Sequence, residues 1–188
     1  MKHKIKIKMI KYINHSGGAE GADIEWETTG SKYVDMENKH YYHGYATKYG
    51  NIKLNDNEIE EGWAKILEAN KKLKRNPYRY KSLLARNWYQ VKNADKIFAI
   101  SYLKNSSEVE GGTGWAVQMA IDCKKPIYVY DQNTSKWFEY CYKSNSFIVC
   151  DTPILSINFA GIGARKLLQN GKDAIDQVFK NTLLNNIS

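Results

Sequence analysis

The sequence predicts an α/β fold, a single Rossmann-like domain with a mainly parallel sheet flanked by helices. Three observations carry that reading. Short apolar runs alternate with amphipathic helical stretches, as in successive βαβ units. Glycine-rich turns follow three of the runs: Ser16-Gly17-Gly18-Ala19-Glu20-Gly21-Ala22-Asp23, Gly111-Gly112-Thr113-Gly114 and Gly161-Ile162-Gly163-Ala164-Arg165. The 188 residues carry no linker-like or low-complexity tract and suffice for one continuous core.

Taken in order, the apolar residues Ile7, Met9, Ile10 and Ile13 predict a first strand over residues 5–13, followed by the first glycine turn and a helix over residues 20–29 that Gly30 ends. Residues 33–45 alternate aromatic and polar side chains and predict a strand; the polar loop through Gly50, Asn51 and Asn55 is a candidate lid. Asp56 or Asn57 caps a helix running to Lys74, and Asn76-Pro77 stops it. A second helix covers residues 80–93 and carries Arg86 and Asn87. Residues 96–101 read as a buried parallel strand ending at Ser101. A helix over residues 113–123 and a strand over 126–130 complete a βαβ unit. Residues 137–141 and 147–150 predict short strands at the sheet's edge, residues 154–159 a further strand, and residues 172–184 a final helix.

The net charge is +8, from 28 Lys and Arg against 20 Asp and Glu. Lys2, Lys4, Lys6, Lys8 and Lys11 read first as a solvated edge strand and second as a nucleic-acid patch. Cys123, Cys141 and Cys150 are odd in number and lack metal-ligand spacing, which predicts reduced thiols. No stretch has signal-peptide or membrane-span character, so a soluble cytoplasmic protein is expected, with no membrane partner.

The turns supply candidate ligand-binding residues for a phosphate: Ser16, Gly17, Gly18, Ala19, Gly21 and Asp23 from the first; Ser101, Gly111, Gly112, Thr113, Gly114 and Trp115 around the second; Gly161, Gly163 and Arg165 from the third. Glycine brings bare backbone N–H groups to an anion, and a helix N-terminus favours it electrostatically. Arg86 is placed to pair with phosphate bidentately, beside Asn87. Arg165 either contacts ligand or braces its loop; Asp23 either holds a ribose hydroxyl or, with slight preference, supports the first turn; Trp115 either stacks on a base or packs; Asp131 either faces ligand or caps a turn. Glu108, Glu110 and Asp23 are the candidate acids for any catalysis, with a loop-surface role favoured for the two glutamates. His40 and His43 lack a partner that completes a metal site, and neither a metal nor a cofactor is expected.

Residues 16–23 resemble the S-G-G-A-x-G-A-D turn of the SLOG superfamily, the Rossmann-like group that includes lonely-guy-type phosphoribohydrolases, DprA-like DNA-processing proteins and YpsA-like proteins. Residues 159–165 resemble its G-I-G-S-R element, found in many phage-encoded members. That element comes last here instead of first, which reads as a circular permutation and requires the Asn185 end of the last helix to lie near the start of the first strand. Arg86-Asn87 and residues 111–118 occupy the lonely-guy arginine and P-G-G-x-G-T-x-x-E positions, but Trp115 replaces a threonine and Gln118 the glutamate implicated in N-glycosidic cleavage. A glutamine carries no charge and is no general base, so the resemblance implies a retained phosphate cradle without that chemistry.

The expectation is therefore a binding protein for a nucleotide-derived small molecule, a homo-oligomer associating through the helices of residues 59–91. Phage-type relatives imply capture of an immune second messenger of the nucleotide or ADP-ribose type, in the cytoplasm of an infected host. The alternatives are a hydrolase of a nucleotide N-glycosidic or phosphoester bond using Glu108, Glu110 or Asp23, and DprA-like binding of single-stranded DNA, which predicts affinity falling steeply with salt.

Overall fold

The computed structural model describes residues 10–45 and 48–186. Its elements run β1 (Lys11–Ser16), α1 (Ala22–Gly30), β2 (Asp35–Tyr42), β3 (Ile52–Lys53), α2 (Asp56–Leu73), α3 (Lys81–Ala85), α4 (Asn87–Asn93), β4 (Lys96–Ser101), α5 (Thr113–Asp122), β5 (Ile127–Asp131), β6 (Lys136–Cys141), β7 (Ser146–Cys150), β8 (Asn158–Gly163) and α6 (Gln169–Asn185). The strands form one sheet in the order β3-β2-β1-β8-β4-β5-β6-β7, parallel except where β6 pairs β5 and β7. Counted from β8, the strands β8, β1, β2, β4 and β5 lie in the doubly wound order 3-2-1-4-5. α6 is then the crossover from the first of these strands to the second. Its C-terminal end meets the start of β1, where the Asn186 side chain donates to the Tyr12 hydroxyl at 2.9 Å.

Each layer follows from the sequence pattern. β4, Lys-Ile-Phe-Ala-Ile-Ser, is apolar on both faces because helices cover both. On one side α1 and α6 bury Trp26, Ile175 and Phe179 against Phe98 and Phe159. Trp26 is fully buried, and its indole N–H donates to the Ile162 carbonyl at 3.3 Å, which satisfies the ring's one polar atom. On the other side α2, α4 and α5 bury Ile66, Val91 and Met119 against Ile97, Ala160 and Ile162. α2 starts at a capping box formed by Asn55 and Glu58, ends at Lys74 with φ of 51°, and buries Ile59, Gly62, Ile66, Ala69 and Leu73 at helical spacing.

Several expectations shift. β1 starts at Lys11 and runs through Ser16, later than the predicted 5–13; residues 1–9, with Lys2, Lys4, Lys6 and Lys8, lie outside the described residues. From Lys11 onward β1 is an interior strand between β2 and β8, not an edge. β8 starts at Asn158, so Gly161 and Gly163 are strand residues and the third glycine turn is no turn. Small residues are needed there because a Cβ at Gly161 would lie 2.5 Å from the Trp26 ring and one at Gly163 2.2 Å from the Ile100 carbonyl oxygen. The helix expected over 80–93 is interrupted at Arg86, between α3 and α4. The helices of residues 59–91, expected at an oligomer interface, bury one face in the chain's own core and leave Leu67, Tyr78, Tyr80 and Leu83 exposed. Among the described residues no helix is long and apolar enough to cross a membrane.

Candidate functional site

A cavity of about 520 Å³ opens at the carboxyl ends of β4 and β8. The two strands are neighbours, yet the chain leaves β8 for α6 on one face and β4 for α5 on the other, so their exits diverge and leave a crevice. The interrupted helix around Arg86 forms one wall, with Leu83, Leu84, Arg86, Asn87 and Gln90. Gly111, Gly112, Thr113, Trp115 and Ala116 form a second at the start of α5, and Gly163, Ala164 and Arg165 a third, while Ala19, Asp23 and Ser101 line the remainder. The cavity therefore collects eleven of the expected binding residues: Ala19, Asp23, Arg86, Asn87, Ser101, Gly111, Gly112, Thr113, Trp115, Gly163 and Arg165. Glu110 joins them as the acid on the rim. Ser16, Gly17, Gly18, Gly21, Gly114, Gly161 and Glu108 do not line it.

The first glycine turn is closed on itself, contrary to the expectation of bare N–H groups. Gly17 N–H and Ala19 N–H both donate to Asp23 Oδ2, at 3.1 and 3.3 Å, and Gly18 N–H donates to Ser16 Oγ at 3.0 Å. Asp23 Oδ1 accepts from Gly163 N–H at 3.0 Å, so this one carboxyl ties the first turn to the end of β8. Its role is the supporting one. Burial pushes its pKa up, against the pull of those backbone donors and of Arg86. Gly21 has φ of 102° and a Cβ there would lie 2.4 Å from the Arg165 carbonyl oxygen, a close approach only glycine permits.

Beneath the turn, Ser16 Oγ, His40 Nδ1, His40 Nε2 and Glu27 Oε2 form a chain with spacings of 2.9 and 2.8 Å. It has the order of a serine hydrolase triad, but Ser16 is fully buried and off the cavity, so the chain braces the turn and presents no nucleophile. His43 pairs instead with Ser82 and Asp56, so the two histidines do not converge. Among the described residues no group of three potential ligands gathers for a metal.

The second turn is different. Gly111 has φ of 62° with open space where a Cβ would stand, and Gly112 is equally unobstructed. Gly114 N–H and Trp115 N–H return to the carbonyls of Glu110 and Gly112 within the first turn of α5, which leaves that helix's N-terminus facing the cavity. Opposite it stands Arg86, only 8% exposed. Its Nη1 donates to the Tyr41 carbonyl at 3.1 Å and its buried Nε has no partner among the described residues. Burial lowers its pKa and the Asp23 carboxylate works against that; a guanidinium keeps its charge regardless.

The remaining expectations resolve by contact. Trp115 is 4% exposed, packed in the core under α2 and α4 while touching the cavity. Asp131 accepts from Leu103 N–H and from Thr134, as a turn cap. Glu108 pairs with Arg75 and Lys104. Gln118 is off the cavity, its amide donating to Asp122 at 3.0 Å. None of residues 43–45 and 48–55 lines the cavity, while residues 46 and 47 of the expected lid lie outside the described residues. Sequence reasoning missed the polar Gln90 and also Tyr80, Leu83, Leu84 and Tyr102, an apolar and aromatic side of the cavity. Helical spacing marks those on α3 and α4 only as generic face residues. Comparison with family models, with curated proteins and with solved structures returns no match.

Proposed function

We propose that this cavity binds a nucleotide-derived small molecule through one anionic group. The observation that carries the reading is that Arg86, a buried guanidinium whose one hydrogen bond among the described residues goes to the Tyr41 carbonyl, lines the same cavity as the open N-terminus of α5. A buried, incompletely satisfied cation opposite a helix N-terminus favours an anion electrostatically. Tyr80, Tyr102 and Leu83 on the apolar side suit a base or sugar. The volume of about 520 Å³ suits a ligand of that size. With the SLOG resemblance, the reading extends to sequestration of a nucleotide or ADP-ribose second messenger.

Binding is favoured over hydrolysis because Asp23 is occupied by three backbone donors, Glu108 is off the cavity and Glu110 alone remains on its rim. The test is mass spectrometry of small molecules released by denaturing the purified protein, followed by incubation of the native protein with any nucleotide found. A nucleotide returned intact in stoichiometric amount supports capture; sustained conversion moves the assignment to hydrolysis and to Glu110. Arg86→Met is expected to lower affinity by about tenfold or more, and to lower the melting temperature as well, since it leaves the Tyr41 carbonyl and the buried Asp23 carboxylate without their cation.

A further inference from the structure

Arg75 lies outside the cavity and outside every motif in the sequence, yet it touches the second glycine turn at several points. The left-handed Lys74 turns the chain out of α2, and Asn70 Oδ1 accepts the Arg75 backbone N–H at 2.8 Å, which fixes where the side chain starts. Its Nη1 donates to the Gly111 carbonyl at 3.1 Å, and its Nη2 to the Val109 carbonyl at 2.8 Å and to Glu108 Oε2 at 3.3 Å. A Cβ at Gly114 would lie 2.8 Å from Nη1, so the guanidinium is seated against the first turn of α5. In a trans peptide the N–H points opposite to the C=O. Holding the Gly111 carbonyl therefore directs the Gly112 N–H away from Arg75, and Gly112 lines the cavity.

We infer that Arg75 is a positioning residue: it holds the second glycine turn in the one orientation that presents its N–H groups to an anion. The turn needs such a brace, because a side chain at Gly111 or Gly112 would meet nothing, the other side-chain hold on it is a long 3.5 Å donation from Asn87 Nδ2 to the Gly112 carbonyl, and glycine is the most conformationally free residue. Two carbonyls are held by one planar fork, which an ammonium cannot reproduce. The inference rests on the anion reading for its purpose, but not for its geometry.

The experiment uses the full chain, ¹⁵N-labelled, as wild type, Arg75→Ala and Arg75→Lys, and follows backbone order of residues 111–113 together with a titration with inorganic phosphate at constant ionic strength. Arg75→Ala is expected to loosen residues 111–113 while β4 and α6 keep wild-type order, and to weaken phosphate binding about tenfold. Arg75→Lys is expected to fall between the two. Unchanged order in residues 111–113 of both variants overturns the inference whatever phosphate does, as does loosening spread evenly over the whole chain. If the wild type binds no phosphate at the Gly112 N–H while the turn still loosens in Arg75→Ala, Arg75 remains the brace and the anion reading is what fails.

Discussion

At the scale of single residues, the buried polar groups divide by whether the protein satisfies them. Asp23 is fully engaged by Gly17, Ala19 and Gly163, and it converts a loop that looks ligand-binding into a structural clasp. Arg86 is satisfied only in part: it lines the cavity, donates to the Tyr41 carbonyl and keeps a buried Nε without a partner among the described residues. His15 shows a third case. It is 4% exposed, stacks on Tyr41 and shares a hydrogen bond of 2.9 Å with the Tyr41 hydroxyl, and its pKa is lowered from 6.5 to about 4, by burial first and by Lys39 next. Between those values the unfolded chain binds a proton that the folded chain refuses. Stability is thus fully present above about pH 6.5 and is lost as pH falls toward 4, by roughly 3 kcal/mol at most. Urea denaturation from pH 7 to 4 is expected to show that slope, and His15→Gln to flatten it.

At the scale of elements, the seat of Arg86 depends on how closely α2 approaches α3. Gly62 of α2 faces the end of α3 so tightly that a Cβ would lie 2.2 Å from the Ala85 carbonyl oxygen. That carbonyl belongs to the residue before Arg86, where the helix is interrupted. Gly62→Ala gains about 1 kcal/mol of helix propensity but must displace backbone, which overpacking places at about 1–3 kcal/mol. The expected outcome is a net loss of about 0–2 kcal/mol in chemical denaturation, with weaker ligand binding as Arg86 shifts. A substitution that leaves both stability and binding unchanged would show that α3 can slide without cost.

At the scale of the whole molecule, the strand order explains why motifs far apart in sequence share one crevice. β8 is the last strand in sequence but lies between β1 and β4, so residues 163–165 stand beside both Asp23 and Ser101. The contact between Asn186 and Tyr12 brings the end of α6 to the start of β1. A chain joined from Ser188 to Met1 by a short linker and opened between Cys150 and the exposed Asp151 would run β8, α6, β1, α1, β2 in the doubly wound order. It is expected to fold to the same circular dichroism spectrum, with a melting temperature within about 10 °C of the parent. Failure to fold would mean that β8 and α6 depend on β7 for their placement.

The local sequence determined the α/β class, from apolar spacing together with the glycine-rich turns, and most of the helices and the buried strand β4, because burial on one face or two writes itself directly into local apolar spacing. It also marked the second glycine turn and Arg86, where glycine and arginine are chemically specific. The boundaries of β1 and β8 slipped toward the apolar residues, since Asn14, Ser16, Gly161 and Gly163 sit in interior strands for reasons of partner, not hydropathy. Asn14 Oδ1, for example, accepts from Gly161 N–H across the sheet at 2.9 Å. The bonds that close the first turn are local, with Gly17 and Ala19 donating to Asp23 and Gly18 to Ser16. Only the tertiary structure decided where the turns are anchored: Asp23 reaches from α1 to Gly163, 140 residues away, and Arg75 from the end of α2 to Gly111, 36 residues on. No local pattern encodes a hydrogen bond across that separation. The same composition of glycine and small residues is therefore closed on itself in one turn and open to the cavity in another.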